Sequence, residues 1–124
     1  MSDITVKGIG QIEPYRGPNA VADIQFVPAG RALGVTAWGM NVLKLESGAR
    51  TYPEHDHVKD GQEEVYILLE GAATLRAGEQ EWRLEPGMFV RVGPNARRKW
   101  FPGDKGATLL AIGATPGKAY EPRR

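Results

Sequence analysis

Short apolar runs alternate with turn residues along the chain, and Gly or Pro interrupts them at short intervals. The clearest run is Glu64–Leu69, which follows a turn signal at Lys59-Asp60-Gly61. Strands of this length, separated by turns that contain Gly or Pro, are typical of β-sandwiches and β-barrels. The pattern predicts strands at Ile4–Val6, Ile24–Phe26, Gly34–Leu45, Glu64–Leu69, Ala72–Arg76, Glu81–Leu84, Met88–Val92, Arg98–Phe101 and Thr108–Ile112.

Side chains alternate between the two faces of a strand, so the pattern also assigns faces. In the strand predicted near residue 90, Met88, Val90 and Val92 are the expected core positions. Thr108–Ile112 is apolar nearly throughout, which indicates a strand covered on both faces. The first thirty residues and the tail after Gly113 have weaker patterns, and we expect them to lie as arms across a sheet or across a partner subunit.

The frequency of glycine and proline excludes a helical bundle. The 124 residues include 16 Gly and 9 Pro, and no stretch free of both exceeds nine residues, whereas a typical helix runs for about 11–12. Hydrophobic residues at 41% are enough to fill a core, and the length is that of one domain. We therefore predict a single all-β domain over residues 1–124, with its core at about 34–113 and an arm at each end.

Charge and cysteine usage exclude several classes of partner and site. A formal net charge of +1 provides no strong field for nucleic acid or for an anionic membrane surface, so neither is an expected partner. The absence of Cys excludes disulfides, thiolate metal sites and a cysteine nucleophile. Since the chain shows no signal-peptide pattern and no apolar stretch near the ~20 residues of a membrane span, we expect a cytoplasmic protein.

The two histidines of the chain lie within three residues of each other, in Pro53-Glu54-His55-Asp56-His57. On a strand His55 and His57 point to one face, about 7 Å apart along the chain, and Glu64 begins the next apolar run. Two imidazoles and a carboxylate with open positions form the facial triad of non-haem iron chemistry, and they also suit manganese, nickel or zinc. The alternative is a pair of surface histidines that contact the acidic side chains nearby, which are Glu54, Asp56 and Glu63.

The region around these histidines resembles the first motif of the cupin superfamily. Its elements here are Gly48, the pair His55 and His57, and Glu64 followed after six residues by Gly71. The phrases EEVYILLEG and LEPGMFVRVGP extend the resemblance over roughly residues 40–112. The resemblance implies a cupin-type jelly-roll β-barrel of two sheets, often a homodimer, with a ligand site inside the barrel. It also implies that His55, His57 and Glu64 hold a divalent metal ion.

Two departures from the family pattern affect the site. Six residues separate His57 from Glu64 where the family has three or four, and the extra ones fall in the turn at Lys59-Asp60-Gly61. In the second motif, Gly87 matches, but Arg98 stands where the family has its last metal-binding His. Arg has no lone pair to give to a metal, and its charge about 5 Å from a dication costs on the order of 6–7 kcal/mol at an effective dielectric constant of about 20.

Three arrangements of Arg98 stay open on the sequence. It binds an anionic ligand beside the metal, it pairs with Glu64 in place of the metal, or it points outward. Alternation puts Trp100 on the same face as Arg98, which favours the barrel interior for both, and puts Tyr66 on the same face as Glu64. Arg98, Tyr66 and Trp100 are therefore candidate ligand-binding residues.

Two functions of different class fit these residues. The first is a metal-dependent enzyme of the oxygenase, isomerase or decarboxylase type that acts on a small anionic organic molecule, with Arg98 as a bidentate clamp for its carboxylate or phosphate. The second is a metal-free module that binds a small ligand, in which Arg98 neutralises Glu64. The fold does not decide between them, because one fold carries many chemistries.

Overall fold

The computed structural model of the protein describes residues 3–122 and consists mainly of strands. Its elements in chain order are a 3₁₀ turn at Ile9–Gln11, β1 (Ile24–Val27), α1 (Ala29–Leu33), β2 (Gly39–Leu45), β3 (Glu63–Ala77), β4 (Gln80–Leu84), β5 (Phe89–Val92) and β6 (Lys99–Ala114). The prediction of an all-β protein is confirmed. Within residues 3–122, none of the helices has the length and apolar character that crossing a membrane requires.

The strands are antiparallel and follow the order β1-β2-β6-β3-β4, and β5 also pairs with β3. β3 and β6 are long, at 15 and 16 residues, and their pairing shifts register twice between Leu68 and Ala73. Bulges of this kind bend strands. Each of the two strands is therefore bent within its length, and the segments on both sides of the bend form part of the barrel. The strands predicted at Glu64–Leu69 and Ala72–Arg76 are therefore one continuous strand, as are the last two predicted strands.

The bend depends on glycine where β3 approaches the middle of β6. Gly71 has a φ of +80°, and a Cβ there would lie 2.1 Å from the carbonyl oxygen of Gly106. Gly106 has a φ of +77°, and its Cβ would lie 2.7 Å from the carbonyl oxygen of Leu45. A side chain at Gly71 would therefore displace backbone, and it would also force a left-handed conformation that L-residues disfavour.

The core has two parts, one on each face of β6. The main cluster fills the barrel and includes Trp100, Leu109 and Ala111, all of which belong to β6. On the other face, Leu110 packs against a smaller cluster made of Ile12, Val27, Ala29 and Val42. The prediction that Thr108–Ile112 is covered on both faces is confirmed, and the N-terminal arm supplies part of the outer cover.

Several predicted boundaries are wrong, each for a local reason. Ile4–Val6 forms no strand and is exposed. The strand predicted from Gly34 begins at Gly39, because Gly34 ends α1 in a left-handed conformation at a φ of +85°. Met88, an expected core position, is 45% exposed, because it lies in the turn before β5 and escapes the alternation that buries Val92.

We expect Gly71→Ala to destabilise the fold more than Gly78→Ala. Both glycines have a positive φ, at +80° and +61°, but nothing lies within 4 Å of a Cβ at Gly78. Gly78→Ala should therefore cost about 1–2 kcal/mol for the left-handed conformation alone. Gly71→Ala adds a backbone clash and should cost about 3 kcal/mol or more. Urea unfolding measures both values, and equal losses would contradict the close approach at Gly71.

Candidate functional site

The two histidines lie on a segment that pairs with the residues just before β6. His55 and Arg98 exchange two backbone hydrogen bonds, at 3.1 and 2.9 Å, and the amide of His57 donates to the carbonyl of Pro94 at 3.0 Å. Because alternate side chains of an extended segment share a face, both imidazoles turn toward Glu64 at the start of β3. The structure thus brings the three predicted metal ligands together.

One oxygen of Glu64 is the centre of the site. Its Oε1 lies 3.3 Å from Nε2 of His57 and 4.0 Å from Nε2 of His55. The same oxygen accepts hydrogen bonds from the Tyr66 hydroxyl, at 2.7 Å, and from Nη2 of Arg98. The Glu64 side chain is 14% exposed and that of His55 is 33% exposed, so the site lies at the edge of the core and opens to solvent at His55.

The outer nitrogen of each imidazole is held by an acceptor. Nδ1 of His55 lies 2.8 Å from the carbonyl oxygen of Pro53, and Nδ1 of His57 lies 3.1 Å from both carboxylate oxygens of Asp60. A carbonyl and an ionised carboxylate only accept, so these contacts assign the proton to both Nδ1 atoms. With that tautomer, a neutral ring presents the lone pair of its Nε2 to Glu64.

Two lone pairs that face a carboxylate oxygen repel it unless a cation lies between them. Burial lowers the pKa of His55, which favours the neutral ring and keeps its lone pair available. Metal-bound histidines usually donate their other ring N–H to a carbonyl or a carboxylate, as both rings do here. His55, His57 and Glu64 therefore fit a divalent metal ion, and their ligand atoms all lie within 4.8 Å of one another.

Asp60, in the turn between His57 and Glu64, was not among the predicted site residues. Its Oδ1 accepts a hydrogen bond from the Gln62 amide at 2.9 Å, and its carbonyl accepts one from the Thr115 hydroxyl at 2.8 Å. These bonds hold the carboxylate against His57. The long spacer between His57 and Glu64 predicted a turn there, but it did not indicate the direction in which the side chain of Asp60 points.

Arg98 lies inside the barrel, so the outward arrangement is wrong. Its side chain is 0% exposed. Nη2 donates to Oε1 of Glu64 and Nη1 donates to the carbonyl of Ala96 at 2.9 Å, whereas Nε has no acceptor among the residues that the structure describes. Two arrangements remain: Arg98 replaces a metal as the partner of Glu64, or it shares Glu64 with one.

Tyr66 and Trp100 form the buried floor of the site. Their rings meet edge to face with centroids 5.3 Å apart, and both side chains are almost fully buried. The Tyr66 hydroxyl lies 3.3 Å from that of Tyr52. Burial raises the pKa of Tyr52 to about 12 and raises the pKa of Tyr66 as well, so both phenols keep their protons at neutral pH. The Trp100 indole N–H has no acceptor within residues 3–122. Direct contact of Tyr66 and Trp100 with a ligand stays a prediction.

The acidic residues next to the histidines pair with arginines on the outside of the barrel. Arg97 donates to the Glu54 carboxylate at 3.1 Å and to its carbonyl at 3.2 Å, and it lies 3.7 Å from Asp56. Arg76 reaches the Glu54 carboxylate at 3.4 Å. The hydrogen bond from Arg97 holds the pKa of Glu54 below its usual value. The carboxylates that contact the imidazoles are those of Glu64 and Asp60, so the contacts predicted with Glu54 and Asp56 are wrong.

We expect Asp60→Ala to release the ring of His57. Without an acceptor at Nδ1, the proton moves in part to Nε2, where Glu64 accepts it. ¹⁵N NMR of the imidazoles should then show a mixture of tautomers for His57 but no change for His55, which Pro53 holds. Asp60→Asn is the control, because its amide oxygen still accepts the hydrogen bond. An unchanged His57 spectrum in Asp60→Ala would mean that Asp60 does not set the tautomer.

Several solved structures resemble this chain, whereas no curated protein matches it. Among solved structures, it is similar to a sugar phosphate isomerase from a cupin superfamily of Silicibacter pomeroyi DSS-3, with 25% identity, a TM-score of 0.73 and coverage of 90% of this chain and 77% of that one. It is similar to a cupin protein from Bacteroides fragilis at 16% identity, with a TM-score of 0.66 and coverage of 99% and 93%. It is also similar to KdgF from Halomonas sp. at 14% identity, with a TM-score of 0.68 and coverage of 100% and 96%. The last two likenesses show the fold alone.

The protein family of this chain follows from a match to a family model. The model described as a cupin domain matches residues 41–113. This region is more than half of the chain, and it contains the three candidate metal ligands and Arg98. Together with the jelly-roll arrangement of the strands, the match shows that the chain belongs to the cupin domain family.

Proposed function

We propose that this protein binds a small anionic organic molecule at the mouth of its barrel, beside a divalent metal ion held by His55, His57 and Glu64. The observation that carries the proposal is the orientation of the two imidazoles. Both Nδ1 atoms are bound to outer acceptors, so both Nε2 atoms face Oε1 of Glu64. A metal ion held there would polarise a carbonyl or hydroxyl oxygen of the ligand.

The charges around the site favour an anionic ligand. The carboxylates of Glu64 and Asp60 and the guanidinium of Arg98 lie at the site, and imidazoles that bind a metal ion are neutral. A divalent ion added to this group leaves a net positive charge of one unit in a partly buried place. An anion compensates that charge, and a carboxylate or phosphate is also the partner that an Arg fork prefers.

A reaction of the isomerase type is supported by the structural likeness. The Silicibacter pomeroyi protein that is 25% identical to this chain is described as a sugar phosphate isomerase, and sugar phosphates are small anions. Of the three enzyme types that the sequence leaves open, this one therefore has the best support. Within the chain, Tyr66 and Arg98 hold the carboxylate of Glu64 and Asp60 holds the ring of His57.

A metal-free binding module is the second candidate, and one contact favours it. Nη2 of Arg98 donates to Oε1 of Glu64, the oxygen that lies beside the Nε2 atoms of both histidines. In this arrangement the guanidinium is the cation of the site, and the protein selects an anion by charge and shape. The two candidates share the ligand class and differ in the metal.

The homodimer and the cytoplasmic location stay predictions. β5 pairs with β3, and the structure describes no second partner strand for it. Phe89 on β5 is 72% exposed, and Met88 beside it is 45% exposed. Apolar side chains at an open sheet edge support the proposal that edge strands of two copies meet there.

We expect the native protein to take up one divalent ion per chain and His57→Ala to lose it. The variant removes one of the three ligands, together with the ring that contacts the carboxylate of Asp60. Elemental analysis after loading with iron, manganese, nickel or zinc in a sulfate buffer measures the stoichiometry. Val58→Ala is the control, because Val58 is the next residue and is 60% exposed. If the native protein binds none of the four metals, the metal-dependent function is wrong and the metal-free module stands.

We expect hexose phosphates to raise the thermal midpoint of the native protein by several degrees. Ligand at 100 times its Kd stabilises a fold by about 2.7 kcal/mol. The neutral hexoses are the matched control and should have no effect, because they offer Arg98 no charge. Arg98→Gln should abolish the shift. Equal shifts with hexoses and their phosphates would mean that anion recognition is not the basis of binding.

A further inference from the structure

We propose that Arg98 makes the binding of metal and anion mutually dependent, so that this protein holds a divalent ion tightly only together with a small oxyanion. This inference rests on the proposed function of the same site. It comes from three observations: the oxygen that Arg98 occupies, the unused donor that Arg98 retains, and the confinement of its side chain in the core.

Arg98 occupies the oxygen of Glu64 that lies beside both imidazoles. Oε1 of Glu64 lies 3.3 Å from Nε2 of His57 and 4.0 Å from Nε2 of His55, and it already accepts hydrogen bonds from Arg98 and Tyr66. A carboxylate oxygen has two lone pairs. A metal ion at Oε1 must therefore displace at least one of these donors, and it must also approach a guanidinium of like charge.

Arg98 cannot escape this competition by moving into water. Its side chain is 0% exposed, and its backbone is held by two hydrogen bonds to His55. A buried guanidinium that loses its carboxylate needs another acceptor, because an uncompensated buried charge is costly. When no anion is bound, Arg98 therefore lowers the affinity of the site for a metal ion.

An oxyanion supplies the acceptor that Arg98 would lack. Nε of Arg98 is buried and has no acceptor in the part of the chain that the structure describes. Nε and Nη2 lie on the same edge of the guanidinium, and together they form the fork that binds a carboxylate or a phosphate through two oxygens. The oxyanion therefore frees Oε1 for the metal and offsets the positive charge that the metal brings.

Coupling of this kind is reciprocal. If the anion raises the affinity for the metal by a given factor, the metal raises the affinity for the anion by the same factor. We expect a factor of about 10–100, within the range that coupled sites usually show. Arg98→Gln keeps a hydrogen-bond donor near Glu64 but removes the charge, so it should tighten metal binding in the absence of anion and abolish the coupling.

The test is a Mn²⁺ titration followed by electron paramagnetic resonance, which detects the free ion. Sulfate serves as the oxyanion probe, because it binds free Mn²⁺ only weakly. In the native protein, sulfate should lower the Kd of Mn²⁺ by about tenfold or more, and Mn²⁺ should lower the Kd of sulfate by the same factor. Arg98→Gln should bind Mn²⁺ more tightly than the native protein without sulfate and should show no response to sulfate. Arg83→Gln, which changes an exposed arginine on β4, should behave as the native protein does.

Each other outcome overturns the proposal. If sulfate leaves the Mn²⁺ affinity of the native protein unchanged, or acts equally on Arg98→Gln, Arg98 does not couple the two ligands. Tight Mn²⁺ binding without anion would refute the coupling and leave the metal site standing, whereas no binding by any variant would refute both. Circular dichroism checks the fold of Arg98→Gln. Should that variant unfold, the reciprocal titrations of the native protein decide, since they need no substitution at Arg98.

Discussion

A guanidinium with no exposure to solvent must find acceptors inside the protein, and Arg98 finds them in Glu64 and in the carbonyl of Ala96. The pair joins the start of β3 to the segment before β6. The contact between Arg98 and Glu64 depends on the pairing register of that segment. A shift by one residue would place Arg97 or Lys99 in the barrel instead. Breaking such a pair leaves a buried charge without a partner, which is more damaging than losing both partners.

The rest of the barrel supports this contact. Gly71 and Gly106 allow β3 and β6 to approach and bend, so each strand contributes to both halves of the molecule. Tyr66 and Trp100 pack beneath the pair and fill the interior. The result is a site at the edge of the core, where the side chain of His55 is open to solvent.

The histidine segment is held by two sets of contacts. Acceptors at Pro53 and Asp60 turn the two rings toward Glu64. On the outside of the barrel, Arg97 pairs with Glu54 and braces the same segment. The contacts at Pro53 and Asp60 decide which nitrogen of each ring faces Glu64. A single site can therefore contain a fixed cation, Arg98, and still present the lone pairs that a metal ion requires.

The sequence by itself determined the all-β class, the turn at Lys59-Asp60-Gly61 and the three candidate metal ligands, because strand alternation and motif spacing are local properties of the chain. It also identified Arg98 as the unusual residue of the site, although it left three orientations open. Only the tertiary structure decided that Arg98 is buried on Glu64, that Asp60 holds His57, and that four predicted strands are two. Each of these depends on which residues distant along the chain come into contact, and that is set by the pairing register and the bends of β3 and β6. Local patterns specify a face for each side chain, but they do not specify its partner.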